Sequence, residues 1–184
     1  IPVSGIPREL AATRDGRYLY VCIFETGNVD LIDLRTRKVA KTFNFGPGAK
    51  RHIVLDEDAN RAYMSDMATG RVSCFSLDTG EILGSVWAGY NLNTLAMSSD
   101  GRFLFVSSRG KNNPETYLKK GPDVGKITVI DARSLKIVDW VWGRNQPTGL
   151  AVSPDNRYIA FTDFLDDNLE VYDISRLYEG PASP

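Results

Sequence analysis

The fold of this chain is constrained most strongly by an internal repeat of about 42 residues. A short apolar run occurs four times, because Tyr20 is followed by Tyr63 after 43 residues, by Phe105 after 42 more and by Ala160 after a further 55. The third interval is longer because 13 residues are inserted after the third run; without them the 42-residue period returns. A fixed period of this length indicates a repeat architecture.

Each repeat is predicted to form four short β-strands. The first strand is rich in small apolar residues, the second is aromatic and β-branched, the third alternates polar with apolar residues, and the fourth alternates charged with apolar residues as edge strands do. Four strands in about 42 residues is the period of a β-propeller blade. We therefore predict an all-β chain, a β-propeller of four-stranded antiparallel blades, with about four blades here. The single propeller region covers residues 1–184, with repeats at about 5–45, 48–87, 90–142 and 145–178 and an inserted loop at about 110–123.

The turn between the first and second strands has its own signature. Asp15-Gly16-Arg17 returns as Asp100-Gly101-Arg102 and, with Asn in place of Gly, as Asp155-Asn156-Arg157. Gly and Asn tolerate the positive φ that tight hairpins need. These tripeptides therefore predict a chain reversal at the same point of three repeats.

The repeat resembles the YVTN β-propeller repeat, which is named for the motif at Tyr20-Val21-Cys22-Ile23 and its three copies. Ser153–Tyr158 and Val129–Ala132 match the flanking patterns of that family. Relatives of the repeat occur in surface-layer proteins, in the haem d1 domain of a nitrite reductase and in amine-dehydrogenase heavy chains, and lactonase-type propellers look similar. The resemblance implies a propeller of roughly seven blades and a location in the periplasm or at the cell surface.

Both ends of the chain bear on how such a ring would close. Ile1–Val3 lie where the end of an outermost strand is expected, and no fourth strand is evident after Ile174-Ser175. Three arrangements stay open: part of a larger, roughly seven-bladed propeller, a dimer that completes a ring by self-association, and a closed four-bladed ring. We favour the first, in which further blades complete the ring.

Composition removes several classes of partner and cofactor. The chain has 22 basic and 23 acidic residues, so no nucleic-acid partner is expected, and no apolar stretch is long enough to predict a membrane span. Cys22 and Cys74 lie in strand-like runs and are predicted to be buried free thiols rather than a disulfide. One histidine and no close cysteine pair nearly exclude a zinc site, and we predict no metal site.

The loops that precede each first strand, and those between second and third strands, are expected to share one face of the propeller. Arg8, Arg51, Asn93 and Thr148 are equivalent by repeat position, and the two arginines could clamp a carboxylate or phosphate. The alternative is that each pairs with a nearby carboxylate. Together with groups on neighbouring loops, the predicted ligand-binding residues are Arg8, Arg51, His52, Asn93, Arg109, Tyr117 and Arg144.

The inserted loop is the strongest sequence signal for function. It carries Lys111, Lys119 and Lys120 together with Tyr117, and Arg109 directly precedes it. Long loops on compact folds are either functional or disordered. We therefore expect contact with a ligand or partner here; a cap or a tolerated insertion is the alternative.

Two cofactors were weighed and neither is predicted. The resemblance to haem-binding propellers makes His52 a candidate axial ligand, although a rim histidine is the simpler interpretation. Asp163, Asp166 and Asp167 crowd one loop whose oxygen atoms suit Ca²⁺, but their spacing is not that of an EF-hand and favours a solvated turn. No nucleophile, metalloprotease or phosphate-loop motif is present in the sequence, so no catalytic residue is assigned.

These observations favour a non-catalytic binding or scaffold protein that presents a protein, glycan or small ligand with its loop face. The first alternative is an enzyme, either a haem d1- or quinone-linked oxidoreductase or a lactonase-like hydrolase. The second is a structural surface-layer module that associates through its blades and has no pocket.

Overall fold

The computed structural model describes residues 1–179. Within them the chain forms fifteen β-strands and one short 3₁₀ turn at Ser175–Leu177. The strands are β1 (Pro7–Ala12), β2 (Tyr18–Ile23), β3 (Asn28–Asp33), β4 (Lys38–Asn44), β5 (Lys50–Asp56), β6 (Arg61–Asp66), β7 (Arg71–Ser76), β8 (Ile82–Trp87), β9 (Leu92–Met97), β10 (Phe103–Ser108), β11 (Lys126–Asp131), β12 (Lys136–Trp142), β13 (Pro147–Val152), β14 (Tyr158–Asp163) and β15 (Asn168–Asp173).

The strands form four sheets, each of which follows chain order. Three sheets have four strands, β1–β4, β5–β8 and β9–β12, and the last has three, β13–β15. The pairings resolved in them are antiparallel, with Tyr20 opposite Leu31 and Ala160 opposite Val171 in equivalent registers. The predicted all-β fold of propeller blades is confirmed, and so is the lack of a fourth strand after Ile174 in the described chain.

The predicted reversal between first and second strands is built by one recurring hydrogen-bond pattern. Asp15 Oδ1 accepts hydrogen bonds from Arg17 N at 2.9 Å and from Thr13 Oγ1 at 2.7 Å. Gly16 between them has φ +69°, which a glycine adopts without strain. The same contacts recur around Asp100 and Asp155. A side chain that mimics a backbone turn therefore fixes each hairpin.

The chain divides into two compact units, Ile1–Leu95 and Ala96–Pro184, and the division falls inside β9. In the first unit, β5 lies against β1 and β2. The core there is closed by apolar side chains of both sheets, among them Tyr20, Phe43, Met64 and Phe75. Phe43 and Phe75 pack at 6.0 Å between ring centroids. Burying one face of each sheet against the other stabilises this pair of blades.

The second unit repeats this arrangement. There β10 lies against β13, and Phe105, Ile127, Ile159 and Phe161 form the buried contact between the two sheets. Phe161 also stacks on Tyr172 at 5.7 Å. Each unit is thus a pair of sheets packed face to face, with the connecting loops at the strand ends.

The prediction that Ile1–Val3 form the end of an outer strand is wrong, since no strand precedes Pro7. The segment is held by a side chain instead. Ser4 donates from its backbone N and from Oγ to the buried carboxylate of Asp30, at 2.7 and 3.0 Å. Thr42 Oγ1 donates to the same carboxylate at 2.7 Å. The backbone group that a strand ladder would use is therefore occupied by Asp30.

No helix in residues 1–179 is long and apolar enough to cross a membrane. Cys22 and Cys74 are free and buried, as predicted.

Candidate functional site

Loops from neighbouring sheets meet at Gln146 in the second unit. Gln146 is 2% exposed and has φ +62°. Its Nε2 donates to the carbonyl oxygen of Tyr117 at 2.6 Å, and its Oε1 accepts a hydrogen bond from Nη2 of Arg109. The amide side chain thereby ties the loop before β13 to both ends of the segment that leads into the insertion, residues 110–123.

A second anchor holds the far end of the insertion. Lys120 Nζ is paired with Asp166 Oδ1, while Asp166 Oδ2 accepts hydrogen bonds from Asn145 N at 2.6 Å and from Asn145 Nδ2 at 3.0 Å. The Lys120 ammonium, followed by the backbone N–H of Asn145, lowers the pKa of Asp166 to about 2. The insertion is therefore fixed to the last sheet by an ion pair that persists at any ordinary pH.

Arg109 lies between two aromatic rings at this junction. Its Cζ is 5.5 Å from the ring centroid of Tyr117 and 6.0 Å from that of Phe164. The guanidinium is half-buried, and this burial lowers the pKa of Arg109. Tyr117 and Phe164 remain 51% and 48% exposed. A cation that is flanked by two accessible rings is a suitable recognition element.

Arg144 lies above a pair of carboxyl groups on the last sheet. Its backbone N donates to Asp163 Oδ1 at 3.0 Å, and its Nε is 3.8 Å from Oε1 of Glu170. Tyr172 donates from its hydroxyl to Glu170 at 2.7 Å. Burial, together with the neighbouring Glu170, raises the pKa of Asp163 to about 6. Arg144 is thus already partnered by a carboxylate.

His52 and Glu9 form a pair in the first unit, on β5 and β1. His52 Nε2 is 3.5 Å from Glu9 Oε2. His52 Nδ1 is buried and has no hydrogen-bond partner among residues 1–179. Burial is the main influence on the imidazole, and it lowers the pKa of His52 although Glu9 acts in the opposite direction. The ring is therefore neutral near pH 7.

Arg8 and Arg51 lie at equivalent irregularities of their sheets. The β1–β2 register shifts between Pro7 and Leu10, and the β5–β6 register shifts between Lys50 and His52. Arg8 is exposed, with its Cζ 4.9 Å from the Phe24 ring centroid, whereas Arg51 is partly buried. The last sheet has the same shift between Pro147 and Leu150, the interval that holds Thr148.

Asn93 is 3% exposed, and its backbone oxygen accepts a hydrogen bond from Ser65 Oγ at 2.8 Å. Its Nδ2 has no hydrogen-bond partner in the described part of the chain.

The predicted site residues thus fall into separate groups. Arg109 and Tyr117 are in contact, Arg144 follows the same loop through Asn145 and Gln146, and Arg8, Arg51, His52 and Asn93 belong to the first unit. In residues 1–179, no three His, Cys, Asp or Glu side chains are grouped as metal ligands. Calcium at Asp163, Asp166 and Asp167 therefore stays a prediction, as does haem at His52.

Four residues of these groups were missed from the sequence: Glu9, Gln146, Phe164 and Glu170. Glu9 had a signal, because Arg8-Glu9 and Arg51-His52 align in the repeat and place Glu9 and His52 at the same position. Gln146 and Phe164 had none, because their contacts join loops that are distant in the chain.

Four antiparallel sheets packed as blades, with anchored loops at their ends, define a β-propeller whose variable loops form the candidate binding surface. The chain belongs to the lactonase, 7-bladed β-propeller family, whose model matches residues 35–177.

Individual proteins similar to the chain have different names. Antigen Lp49 of Leptospira interrogans is 39% identical over 176 residues, which cover 91% of this chain and 38% of the antigen. The structure of Kuenenia stuttgartiensis hydrazine synthase matches with a TM-score of 0.73 at 22% identity, over 85% of this chain and 43% of that one. A Bacteroides uniformis protein proposed to be a 6-phosphogluconolactonase matches with a TM-score of 0.72 at 18% identity, over 91% of this chain and 50% of that one. The chain therefore spans half or less of each of these relatives, and the two solved structures show the fold alone.

Proposed function

We propose that this chain is a binding module without catalytic activity, and that its loop face at the insertion takes up a small organic ligand. The observation that carries this proposal is the double anchoring of the insertion through Gln146 and Asp166. An insertion held in this way presents Tyr117 beside Arg109 in a fixed position. Pre-ordered contacts lower the entropic cost of binding.

The exposed rings support binding rather than a purely structural insertion. Tyr117 and Phe164 are each about half exposed and approach the same guanidinium from different loops. Aromatic residues and arginine are the groups most enriched at binding hot spots. A loop that served only as a cap would gain more by burying both rings against the sheet.

Lactone hydrolysis is the second candidate, and the family assignment is what favours it. Hydrolysis needs a general base with an accessible lone pair. When His52 donates from Nε2 to Glu9, its free lone pair is on Nδ1, which is buried. This geometry supports binding over catalysis at the one histidine of the chain.

The two candidates are separated by one pair of measurements on the purified chain. Proton release from 6-phosphogluconolactone, followed in a pH-stat, should equal the spontaneous rate and should not change in His52→Gln. Amide spectra of ¹⁵N-labelled chain, recorded with a panel of sugars, sugar acids, aromatic acids and nucleotides, should shift at residues 109–117 and 144–147. Catalysed hydrolysis that His52→Gln abolishes would establish the enzyme, and a panel without effect on these residues would exclude the binding proposal.

The same proposal includes the finer assignment to the YVTN repeat and a location in the periplasm or at the cell surface. The similarity to a leptospiral antigen supports this location, since an antigen is met by antibodies. Fractionation of the source cells, followed by immunoblotting, tests it; recovery with the cytoplasmic fraction would contradict it.

A further inference from the structure

The basic side chains of the insertion and of the loop before β13 are paired with carboxylates, apart from Arg109. Lys120 is paired with Asp166 and Lys119 with Glu115, while Lys111 lies 3.9 Å from Asp123 and Arg144 lies 3.8 Å from Glu170. These pairs account for the ordinary balance of charge at an exposed loop. Arg109 therefore differs from its neighbours in a way that residue type alone does not indicate.

The surroundings of Arg109 supply no counter-charge within residues 1–179. Its one side-chain acceptor there is the neutral amide oxygen of Gln146, and its Nε is buried without a hydrogen-bond partner. Burial lowers the pKa of Arg109, and only the Tyr117 phenol acts in the other direction. A partly desolvated cation without an anion is unfavourable. An incoming anion would relieve this cost.

We infer that Arg109, Tyr117 and Phe164 form a site for an oxyanion, a carboxylate or a phosphate ester, that is attached to a flat ring. The guanidinium fork matches the geometry of both oxyanions, and an arginine held between rings keeps that fork oriented. The two half-exposed rings offer faces on which the body of the ligand can stack. This inference rests on the proposed function and names the class of ligand for it.

Three probes that share one ring test the inference on the ¹⁵N-labelled chain: benzoate, phenyl phosphate and benzamide. Benzoate or phenyl phosphate should shift the amide resonances of residues 109–117 and 163–165 in a saturable manner. Benzamide, which has the ring without the charge, should bind about tenfold more weakly or worse. The tighter of the two anions identifies the headgroup.

Matched variants separate the charge from the fold. Arg109→Gln should weaken binding of the preferred anion about tenfold or more, because it removes a charge-assisted hydrogen bond. Lys119→Gln changes the net charge equally at the exposed Glu115 pair and should leave binding unchanged. Tyr117→Leu keeps the cation and should weaken all three probes; it also serves if Arg109→Gln does not fold.

The inference is overturned if benzamide binds as tightly as benzoate and phenyl phosphate, or if Lys119→Gln weakens binding as much as Arg109→Gln. If neutral compounds of the panel shift residues 109–117 while neither anion does, the inference fails and the proposed function stands. If nothing shifts these residues, both fail.

Discussion

Lys50 Nζ lies 2.7 Å from Asp66 Oδ2, and the two side chains are only 6% and 5% exposed. The equivalent pair in the last sheet is Pro147 and Asp163, which are opposite each other in the same register. One blade therefore neutralises its buried carboxylate with a lysine, while another leaves it beside Glu170. The pKa of Asp66 is lowered, with the Lys50 hydrogen bond as the main favourable contact, whereas that of Asp163 is raised to about 6.

Removing Lys50 should therefore destabilise the first unit strongly. Lys50→Met leaves the Asp66 charge buried without a counter-ion, which costs about 3–5 kcal/mol of unfolding free energy. Urea denaturation measures it. Lys38→Met, at an exposed position, should change stability by less than about 0.5 kcal/mol. A double variant, Lys50→Met with Asp66→Leu, should be less destabilised than Lys50→Met alone; equal losses would contradict this account.

Asp163 should make the second unit more stable in weak acid. Its folded pKa of about 6 exceeds the ordinary value of about 3.9. The folded state thus binds the extra proton between these values, and the stabilisation present below pH 4 is lost as the pH rises through about 6. The full effect is at most about 3 kcal/mol.

Urea titrations from pH 4 to 7 on the wild-type chain and Asp163→Asn isolate this contribution as a difference. Asp66→Asn serves as the control of opposite sign, because the lowered pKa of Asp66 gives stability that is lost as the pH falls. If the difference between wild type and Asp163→Asn stays constant across this range, Asp163 does not titrate as the structure indicates.

Gly27 and Gly16 have the same left-handed backbone, with φ +73° and +69°, but different surroundings. A Cβ at Gly27 would lie 1.8 Å from the carbonyl oxygen of Gly46, whereas nothing lies within 4 Å of a Cβ at Gly16. Gly16→Ala should cost only the conformational strain, about 1–2 kcal/mol. Gly27→Ala should cost clearly more, because a backbone segment must move. Chemical denaturation compares the two, and equal values would count against the close approach.

Gln146→Ala should release the insertion without unfolding the sheets. The variant loses the hydrogen bond to the Tyr117 carbonyl and the contact to Arg109. Brief trypsin digestion, followed by mass spectrometry, should show faster cleavage after Lys119 and Lys120 than in the wild type. Cleavage after Lys136, at the start of β12, is the internal control and should not change. Unaltered cleavage in the insertion would show that Gln146 is not its anchor.

The two thiols should be inert in the folded chain. Cys22 is fully buried, and burial raises the pKa of its thiol to about 12; burial also raises the pKa of Cys74. Reaction with an aromatic disulfide reagent at pH 8 should therefore be slow in buffer and should give two equivalents in denaturant, since the thiolate is the reactive form. Rapid reaction of either thiol in buffer would contradict the burial.

The sequence by itself determined the blades, because strand pattern and turn chemistry are local. Asp15-Gly16-Arg17 and its copies form the expected hairpins, and the three-stranded last sheet follows from the missing run after Ile174. The expectation for Ile1–Val3 failed because Asp30, far along the chain, binds the backbone N of Ser4.

Only the tertiary structure decided which polar groups meet. Repeat alignment placed Arg109 and Tyr117 near one loop face, but it could not show that Gln146 and Phe164 complete their surroundings. Nor could it distinguish Lys50 opposite Asp66 from Pro147 opposite Asp163 as a difference in charge at one buried position. Periodicity reports which face of a strand is buried, whereas the pairing of buried charges depends on side chains that folding brings together from distant loops.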